Sequence, residues 1–224
     1  MIAQEIEMFK YWKINSPIEK TIKMASYFDT GINEGEFSLL VSFFPDGKDL
    51  DIKTIQKRAG YSYERMHHYL KSLADRKIIV EGRKGNALVY SINTDNWYAK
   101  LAHYHYSSLK AIKFFREHTK IKLGIGQIPQ DKIDILIVFG SYSKGTQKSS
   151  SDIDVMIVTH YKKNIESSIR NIKNMYGLDL QAVIMKREEF GKIRNENKVL
   201  WESLVKDGII IKGSDLLYYY AYRT

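Results

Sequence analysis

The sequence predicts a mixed chain of the α+β / α/β class, with a helix-rich first half and an alternating second half. In residues 35–93, apolar residues at helical spacing are followed by two short β-type runs, IIVEG and ALVYSIN. In residues 124–213, apolar runs typical of strands alternate with amphipathic helical segments. This second pattern predicts a small mixed sheet that helices cover on one face.

Composition limits both the class of protein and the kinds of site it can form. The 224 residues are 44% hydrophobic, enough for folded cores, and they include no cysteine. A disulfide framework, a thiolate metal site and a cysteine nucleophile are therefore excluded. The sequence has no membrane-spanning apolar run and no signal-peptide pattern, so we expect a cytoplasmic protein. The net charge of +9 favours an anionic partner such as nucleic acid or nucleotide.

The first half contains clear signals for the starts and ends of helices. Ser16 and Pro17 predict the start of an N-terminal helix, and EFSLLVSFFP predicts an apolar helix that ends at Pro45. Gly60 predicts the end of a short helix, and Ser62 predicts the N-cap of a longer one. The tetrapeptide RKGN then joins the two β-type runs, which predicts a hairpin.

This order of elements resembles the winged helix-turn-helix family over residues 35–93. The resemblance implies that the second helix of the pair enters the major groove of double-stranded DNA. Residues 51–85 contain nine Lys and Arg against four Asp and Glu, a local charge of +5. The residues expected to contact DNA are Arg65, His68 and Lys71 on the helix and Arg83 and Lys84 at the wing tip. The alternative is a winged helix that serves only in protein contact or dimerisation.

Residues 95–118 predict one amphipathic helix that links the two halves. We expect a winged helix-turn-helix domain with its N-terminal helix over residues 1–94, a linker helix over 95–123 and a second domain over 124–224. Tyr104, Tyr106 and the tail LYYYAYR form either a homodimer surface or packing within one chain.

The segment VFGSYSKGTQKSSSDIDVMIV, residues 138–158, carries the strongest chemical signal. Asp152 and Asp154 are two residues apart at the start of a predicted strand, so their side chains share a face. Paired carboxylates of this kind can hold Mg²⁺ or Mn²⁺ in phosphoryl chemistry, with phosphate and water as the remaining ligands.

A Gly-Ser turn precedes these aspartates. Gly140 lets the backbone approach a phosphate closely, and Ser141 begins a short predicted helix whose amide groups face it. Lys144 adds a positive charge nearby. The segment is not a Walker A loop, because Thr146 stands where the lysine of G-x-x-x-x-G-K-[ST] is needed.

The pattern G-S-x-x-x-G followed by S-D-I-D and an apolar strand resembles the nucleotidyltransferase domain of the DNA polymerase beta superfamily. Among its members it is most similar to the minimal nucleotidyltransferases, and the resemblance covers residues 124–213. It implies that Asp152 and Asp154 are catalytic and bind metal. It also implies a nucleotide site, with ATP expected, formed by Gly140, Ser141, Lys144, Gly145 and Ser151. Similar transferases work beside a small helical protein in toxin–antitoxin pairs, which implies such a partner here.

Active members of this superfamily carry a third carboxylate on a later strand. The matching segment is LDLQAVIM, where Gln181 stands at the acidic position and Asp179 lies one same-face step earlier. Either Asp179 is the third catalytic acid or that acid has been lost, because a glutamine amide cannot act as a base.

Two functions are therefore predicted. The first is a Mg²⁺-dependent nucleotidyltransferase, coupled to a DNA-binding winged helix, that moves NMP from an NTP to a hydroxyl of a protein, RNA or small molecule. The alternative is a DNA-binding transcriptional regulator whose nucleotidyltransferase domain senses nucleotide or is catalytically degenerate.

Overall fold

The computed structural model describes residues 31–44, 47–148 and 150–222. The predicted N-terminal helix that begins at Ser16 and the predicted helix end at Pro45 lie outside these residues. The chain divides into two compact units, with the boundary between Ala102 and His103. That boundary lies within a helix, and the domain bounds expected from the sequence stay a prediction.

The first unit combines helices with a three-stranded antiparallel sheet. Its described elements are α1 (Glu34–Val41), β1 (Leu50–Asp51), α2 (Ile52–Ala59), α3 (Tyr63–Asp75), β2 (Ile79–Lys84) and β3 (Ala87–Ile92). The strand order is β1-β3-β2, and β2 and β3 pair along their whole length. The hairpin predicted from RKGN is confirmed.

Local sequence signals set the turn between α2 and α3. Gly60 has a left-handed φ of 70°, which glycine adopts without strain, and its N–H donates to the Gln56 carbonyl. The Ser62 hydroxyl accepts from the Arg65 N–H at the start of α3. Met66 and Leu70 are fully buried, which leaves the opposite face of α3 exposed. The predicted helix ends are confirmed.

The second unit begins inside α4 (Trp97–Glu117) and contains a four-stranded sheet. Its further helices are α5 (Thr119–Ile125), α6 (Gly140–Lys144), α7 (Lys162–Tyr176), α8 (Arg187–Glu196), α9 (Lys198–Glu202) and α10 (Ser214–Tyr222). The strands are β4 (Ile135–Phe139), β5 (Ile153–Val158), β6 (Leu180–Met185) and β7 (Ile209–Lys212). Their order is β6-β5-β4-β7, with β5 and β6 parallel and the other pairs antiparallel. The predicted mixed sheet is confirmed.

Helices cover both faces of this sheet, so the expectation of one covered face is wrong. Val155 and Ile157 of β5 pack on one side with residues of α4, α5 and α7, while Met156 and Val158 pack on the other with residues of α8, α9 and α10. The sequence carries the reason: residues 155–158, VMIV, are apolar at four consecutive positions, and a strand of that kind is buried on both faces.

The sequence pattern from Arg187 to Gly208 is that of one continuous helix, but the structure breaks this segment into three pieces. At Asn197 the backbone leaves the helical region, with φ −140° and ψ 79°, and α8 ends. The Asn197 side chain accepts from the Leu200 N–H and so caps α9. A π-helical turn, Ser203–Asp207, then leads to β7. This break brings Asp207 to the end of β4, next to α6.

Two tyrosines of the C-terminal tail pack within the second unit. Tyr218 and Tyr222 are buried, and their ring centres lie 5.1 and 5.5 Å from that of His103. Burial lowers the pKa of His103 to about 3, so the imidazole is neutral in this apolar setting. Within the described parts of the chain, no helix is both long enough and apolar enough to cross a bilayer.

Candidate active site

The Gly-Ser turn forms the end of β4 and the start of α6. Gly140 has a φ of 73°, in the left-handed region that favours glycine. Gly145 ends the helix with a φ of 69°, and the Thr146 N–H donates to the Ser141 carbonyl at 3.0 Å. The two glycines of the motif therefore bound a compact five-residue helix at the edge of the site.

Asp154 lies directly against the first glycine of this turn. Phe139 and Asp154 are paired in the antiparallel register of β4 and β5, so the residue after Phe139 falls beside the carboxylate. A Cβ atom added to Gly140 would lie 2.9 Å from the Asp154 Cγ and 3.2 Å from its Cβ. Glycine is thus required for conformation and for space, and the turn and the carboxylate fit together.

Asp152 and Asp154 form a pair of like charges. Asp152 is exposed just before β5, and Asp154 is half-buried on the strand. Burial raises the pKa of the Asp154 carboxyl above its usual range, and the negative charge of Asp152 raises it further. The repulsion between the two carboxylates predicts that a bound cation would stabilise both.

Gln181 on the parallel strand β6 and Asp179 just before it are the two candidates for the third-acid position. Gln181 is paired with Asp154 in the register of β5 and β6, so the two side chains lie on the same face of the sheet. The Asp179 carbonyl accepts from the Ile153 N–H at 2.9 Å, one step earlier. The Asp179 carboxylate pairs with Lys173 of α7, at 3.0 Å.

Ser151 closes the loop between α6 and β5. Its hydroxyl accepts from the Lys148 N–H at 2.9 Å, and its own N–H donates to the Lys148 carbonyl at 3.0 Å. These reciprocal bonds fix the point at which the chain enters β5, and hence the position of Asp152. In this conformation the Ser151 hydroxyl supports the loop, while its role toward a nucleotide stays a prediction.

Lys144 has an acidic neighbour that the sequence did not reveal. Its amine lies 3.5 Å from an Asp207 carboxylate oxygen, and both side chains are about half exposed. The amine of Lys110, on α4, donates to the carbonyl of Gly208, the residue after Asp207, at 3.0 Å. Neither Asp207 nor Lys110 belongs to a recognisable motif, because only the folded backbone brings them to α6.

The residues present fit a divalent cation. Among the described residues, no group of three or more His, Asp or Glu side chains is placed to hold a metal ion. Mg²⁺, however, takes one or two carboxylates from a protein and its remaining ligands from phosphate and water. Asp152 and Asp154 supply these two carboxylates, and within the described parts of the chain neither forms an ion pair with a lysine or arginine.

The residues expected to contact DNA are all exposed in the first unit. They are Arg65, His68 and Lys71 on α3 and Arg83 and Lys84 at the end of β2. The Arg65 guanidinium carbon lies 5.9 Å from the centre of the Tyr61 ring, a distance typical of a cation–π contact. The His68 ring lies edge-on to the Tyr69 ring, with 5.5 Å between the ring centres. The side chains of Lys71, Arg83 and Lys84 are exposed.

Comparison with known proteins identifies the second half of the chain. Residues 126–216 match the family model described as "Polymerase beta, Nucleotidyltransferase". This part of the chain is a nucleotidyltransferase-type domain. The matched range contains the Gly-Ser turn, the two aspartates, β6 and Asp207, so every residue of the site built above except Lys110 lies inside the nucleotidyltransferase domain.

Solved structures also resemble this chain. A crystal structure of a toxin-antitoxin with AMP-PNP is 24% identical, with a TM-score of 0.31, and the match covers 50% of this chain and 81% of that one. A mutant of the toxin-antitoxin MntA-HpeT is 22% identical, with a TM-score of 0.31, over 49% of this chain and 77% of that one. No curated protein matches the chain.

Proposed function

We propose that the nucleotidyltransferase domain transfers a nucleoside monophosphate group from a nucleoside triphosphate, with ATP as the expected donor, to a hydroxyl group. The observation that carries this proposal is the close fit of Gly140 against Asp154. This contact places the turn that would bind phosphate directly against the Asp154 carboxylate. Asp152 lies on the same face of the strand as Asp154. The family match over residues 126–216 supports the same chemistry.

Each part of the site has a distinct task in this proposal. Gly140 and Ser141 present the backbone of the turn to the triphosphate, and Lys144 supplies positive charge at the far end of α6. Asp152 and Asp154 would hold Mg²⁺ or Mn²⁺, which when bound supplies positive charge to the phosphate oxygens. The left-handed Gly145 ends the helix and starts the loop that leads to Ser151.

The proposed reaction is a substitution at the α-phosphorus of the nucleotide. The acceptor hydroxyl oxygen forms a bond to the α-phosphorus, the bond from that phosphorus to the bridging oxygen breaks, and pyrophosphate leaves. The hydroxyl proton passes to a base, for which Asp179, just before β6, is the candidate. Gln181 lies beside Asp154 and can accept a hydrogen bond from the hydroxyl, but it cannot take the proton.

A labelled-nucleotide assay tests the proposal. The full chain is incubated with Mg²⁺, a cell extract as the source of acceptors, and ATP labelled at the α-phosphate. We expect the label on an acceptor together with released pyrophosphate. ATP labelled at the γ-phosphate is the control, because transfer of the γ-label would indicate a kinase instead. If a small helical protein is encoded next to this chain, it is the first purified acceptor and partner to test.

The second proposed function is DNA binding by the first unit. The order α1, β1, α2, α3, β2, β3 and the exposed cations on α3 and at the end of β2 support a winged helix that binds double-stranded DNA. In this case the chain is a transcriptional regulator, and the nucleotidyltransferase domain senses nucleotide or is catalytically degenerate. Gln181, which cannot take a proton, lies beside Asp154 at the third-acid position, and this placement favours a domain that no longer transfers.

Charge reversal at the hairpin tests DNA binding. We expect Arg83→Glu combined with Lys84→Glu to weaken binding to promoter duplexes of every sequence, because phosphate contacts carry no sequence information. The slope of log affinity against log salt should fall by about 2, since two phosphate contacts are lost. Binding is measured by anisotropy over a salt series.

The matched control reverses two adjacent exposed lysines on α7, Lys162→Glu with Lys163→Glu, and so makes the same change in net charge. It should leave the salt slope close to that of the wild type. If the wild type fails to retain duplex DNA even at low salt, the first unit is a protein-contact module instead.

A further inference from the structure

The Lys144–Asp207 ion pair lies at the end of the helix that carries the Gly-Ser turn. The Lys144 amine is 3.5 Å from the Asp207 carboxylate, and the two side chains are 48% and 41% exposed. Exposed pairs of this kind are weak, because water and salt screen them. The pair is therefore one that a more highly charged anion can break.

The backbone at Asp207 is held in place, although its side chain is exposed. A Cβ added to Gly208 would lie 2.7 Å from the Ile137 Cγ2, so this turn packs directly on β4. Ile209 is then paired in register with Val138. The backbone of Asp207 consequently lies near the end of β4, and its carboxylate contacts Lys144 at the last residue of α6.

Lys110 supports the turn from its buried side. Its amine donates to the Gly208 carbonyl at 3.0 Å and lies 3.5 Å from the Asp207 carbonyl. Burial lowers the pKa of Lys110 to about 8, and the charge of Asp207 opposes this shift. A largely buried amine thus ties α4 to the segment that carries Asp207 and limits how far the carboxylate can move from Lys144.

We propose that Asp207 is a positioning residue of the nucleotide site that acts through Lys144, holding the lysine amine until a phosphate group displaces it and taking it back when pyrophosphate leaves. This inference rests on the proposed nucleotidyltransferase function and adds a residue to it. The carboxylate weakens binding of triphosphate and of pyrophosphate to the site, which favours release of the product. The ligand class concerned is a polyphosphate anion with several negative charges.

The decisive variant is Asp207→Asn, which removes the charge and keeps the shape of the side chain. Calorimetry with Mg²⁺–ATP, and separately with Mg²⁺–pyrophosphate, should show binding tightened by about twofold to fivefold, the range expected from loss of an exposed ion pair. The gain should shrink at high salt, because screening weakens the original pair. Glu202→Gln is the matched control: its carboxylate pairs with Lys206 at 3.8 Å and similar exposure. It should leave both affinities unchanged.

A double-mutant cycle separates this role from a purely structural one. Lys144→Met should weaken ATP binding, and Asp207→Asn added to Lys144→Met should then change nothing, because its effect passes through the lysine. Unchanged or weaker ATP binding by Asp207→Asn alone would overturn the inference. An equal gain in the Lys144→Met background would overturn it as well.

ATP binding by the wild type distinguishes failure of this inference from failure of the proposed nucleotidyltransferase function. If the wild type binds Mg²⁺–ATP and Asp207→Asn binds it equally well, only the role of Asp207 is wrong. If the wild type binds no ATP, the proposed function is wrong and the role of Asp207 is lost with it.

Discussion

Asp154→Asn is expected to abolish nucleotidyl transfer and the metal-dependent part of ATP binding. The carboxylate is one of the two that would hold the cation, and a bound cation contributes several kcal/mol to stabilising charge in the transition state. Its loss corresponds to a decrease in rate of about 10³-fold or more. Transfer is followed with α-labelled ATP, and ATP binding is measured by calorimetry with and without Mg²⁺ or Mn²⁺.

The same variant should fold normally. A carboxyl group whose pKa is raised in the folded state contributes stability that is present below its ordinary pKa of 3.8 and is lost as the pH rises through the folded value. At neutral pH the ionised Asp154 therefore lowers stability, because it is partly buried and repelled by Asp152. Without metal, Asp154→Asn should melt at the same temperature as the wild type or higher. In the presence of ATP, addition of Mg²⁺ should raise the melting temperature of the wild type only.

Asp131→Asn is the matched control for this experiment. Asp131 is an exposed carboxylate in the same unit, outside the site, so the change in charge is equal. It should leave both transfer and metal-dependent binding intact. Equal ATP binding with and without metal in both the wild type and Asp154→Asn would show that the aspartates do not hold a cation.

Removal of Asp179 is expected to have the second largest effect. If Asp179 is the general base, Asp179→Asn should lower the transfer rate by about 10²–10⁴-fold and remove the acidic limb of the pH–rate profile. Gln181→Ala should then have a mild effect, because the amide does not take the proton. Single-turnover transfer over a pH series measures both variants. Robust transfer by Asp179→Asn would show that this carboxylate is not the base.

Lys173→Met separates the charge of Asp179 from its ion pair. It breaks the 3.0 Å contact with the Asp179 carboxylate and leaves that carboxylate in place. A base that is held back by this pair should work as well or better in Lys173→Met. If the third acid has been lost, the wild type should bind nucleotide without transferring it, and Gln181→Asp should restore measurable transfer beside Asp154.

The local parts of the fold could be predicted because their causes are local. The turn between α2 and α3 depends on Gly60 and Ser62, whose conformational and capping preferences act over a few residues. The pairing of Asp154 with a residue of β6 could also be expected once LDLQAVIM was placed next to β5. The motif itself fixes Gly140, Ser141 and Asp154 to one short segment, so their proximity follows from chain connectivity.

The helix break, the second covered face and the Lys144–Asp207 pair could not be predicted, and the last two depend on contacts between residues that are far apart in sequence. Helix periodicity continues through Asn197, and only the capping of α9 by its side chain shows that the helix ends there. The helices α8 and α9, on either side of this break, cover the second face of the sheet together with α10. The pairing of Lys144 with Asp207 requires β7 to lie beside β4, and no spacing rule predicts the order of strands that are far apart in sequence.

The contact between Gly140 and Asp154 also couples the residue types that the two positions can accept. While the carboxylate points at the turn, no side chain of any kind fits at residue 140, whatever its charge or polarity. A lineage that loses the aspartate removes this steric restriction, but the left-handed φ of 73° still favours glycine there. Among related chains, a residue larger than glycine at this position is therefore expected only where the aspartate has also been replaced.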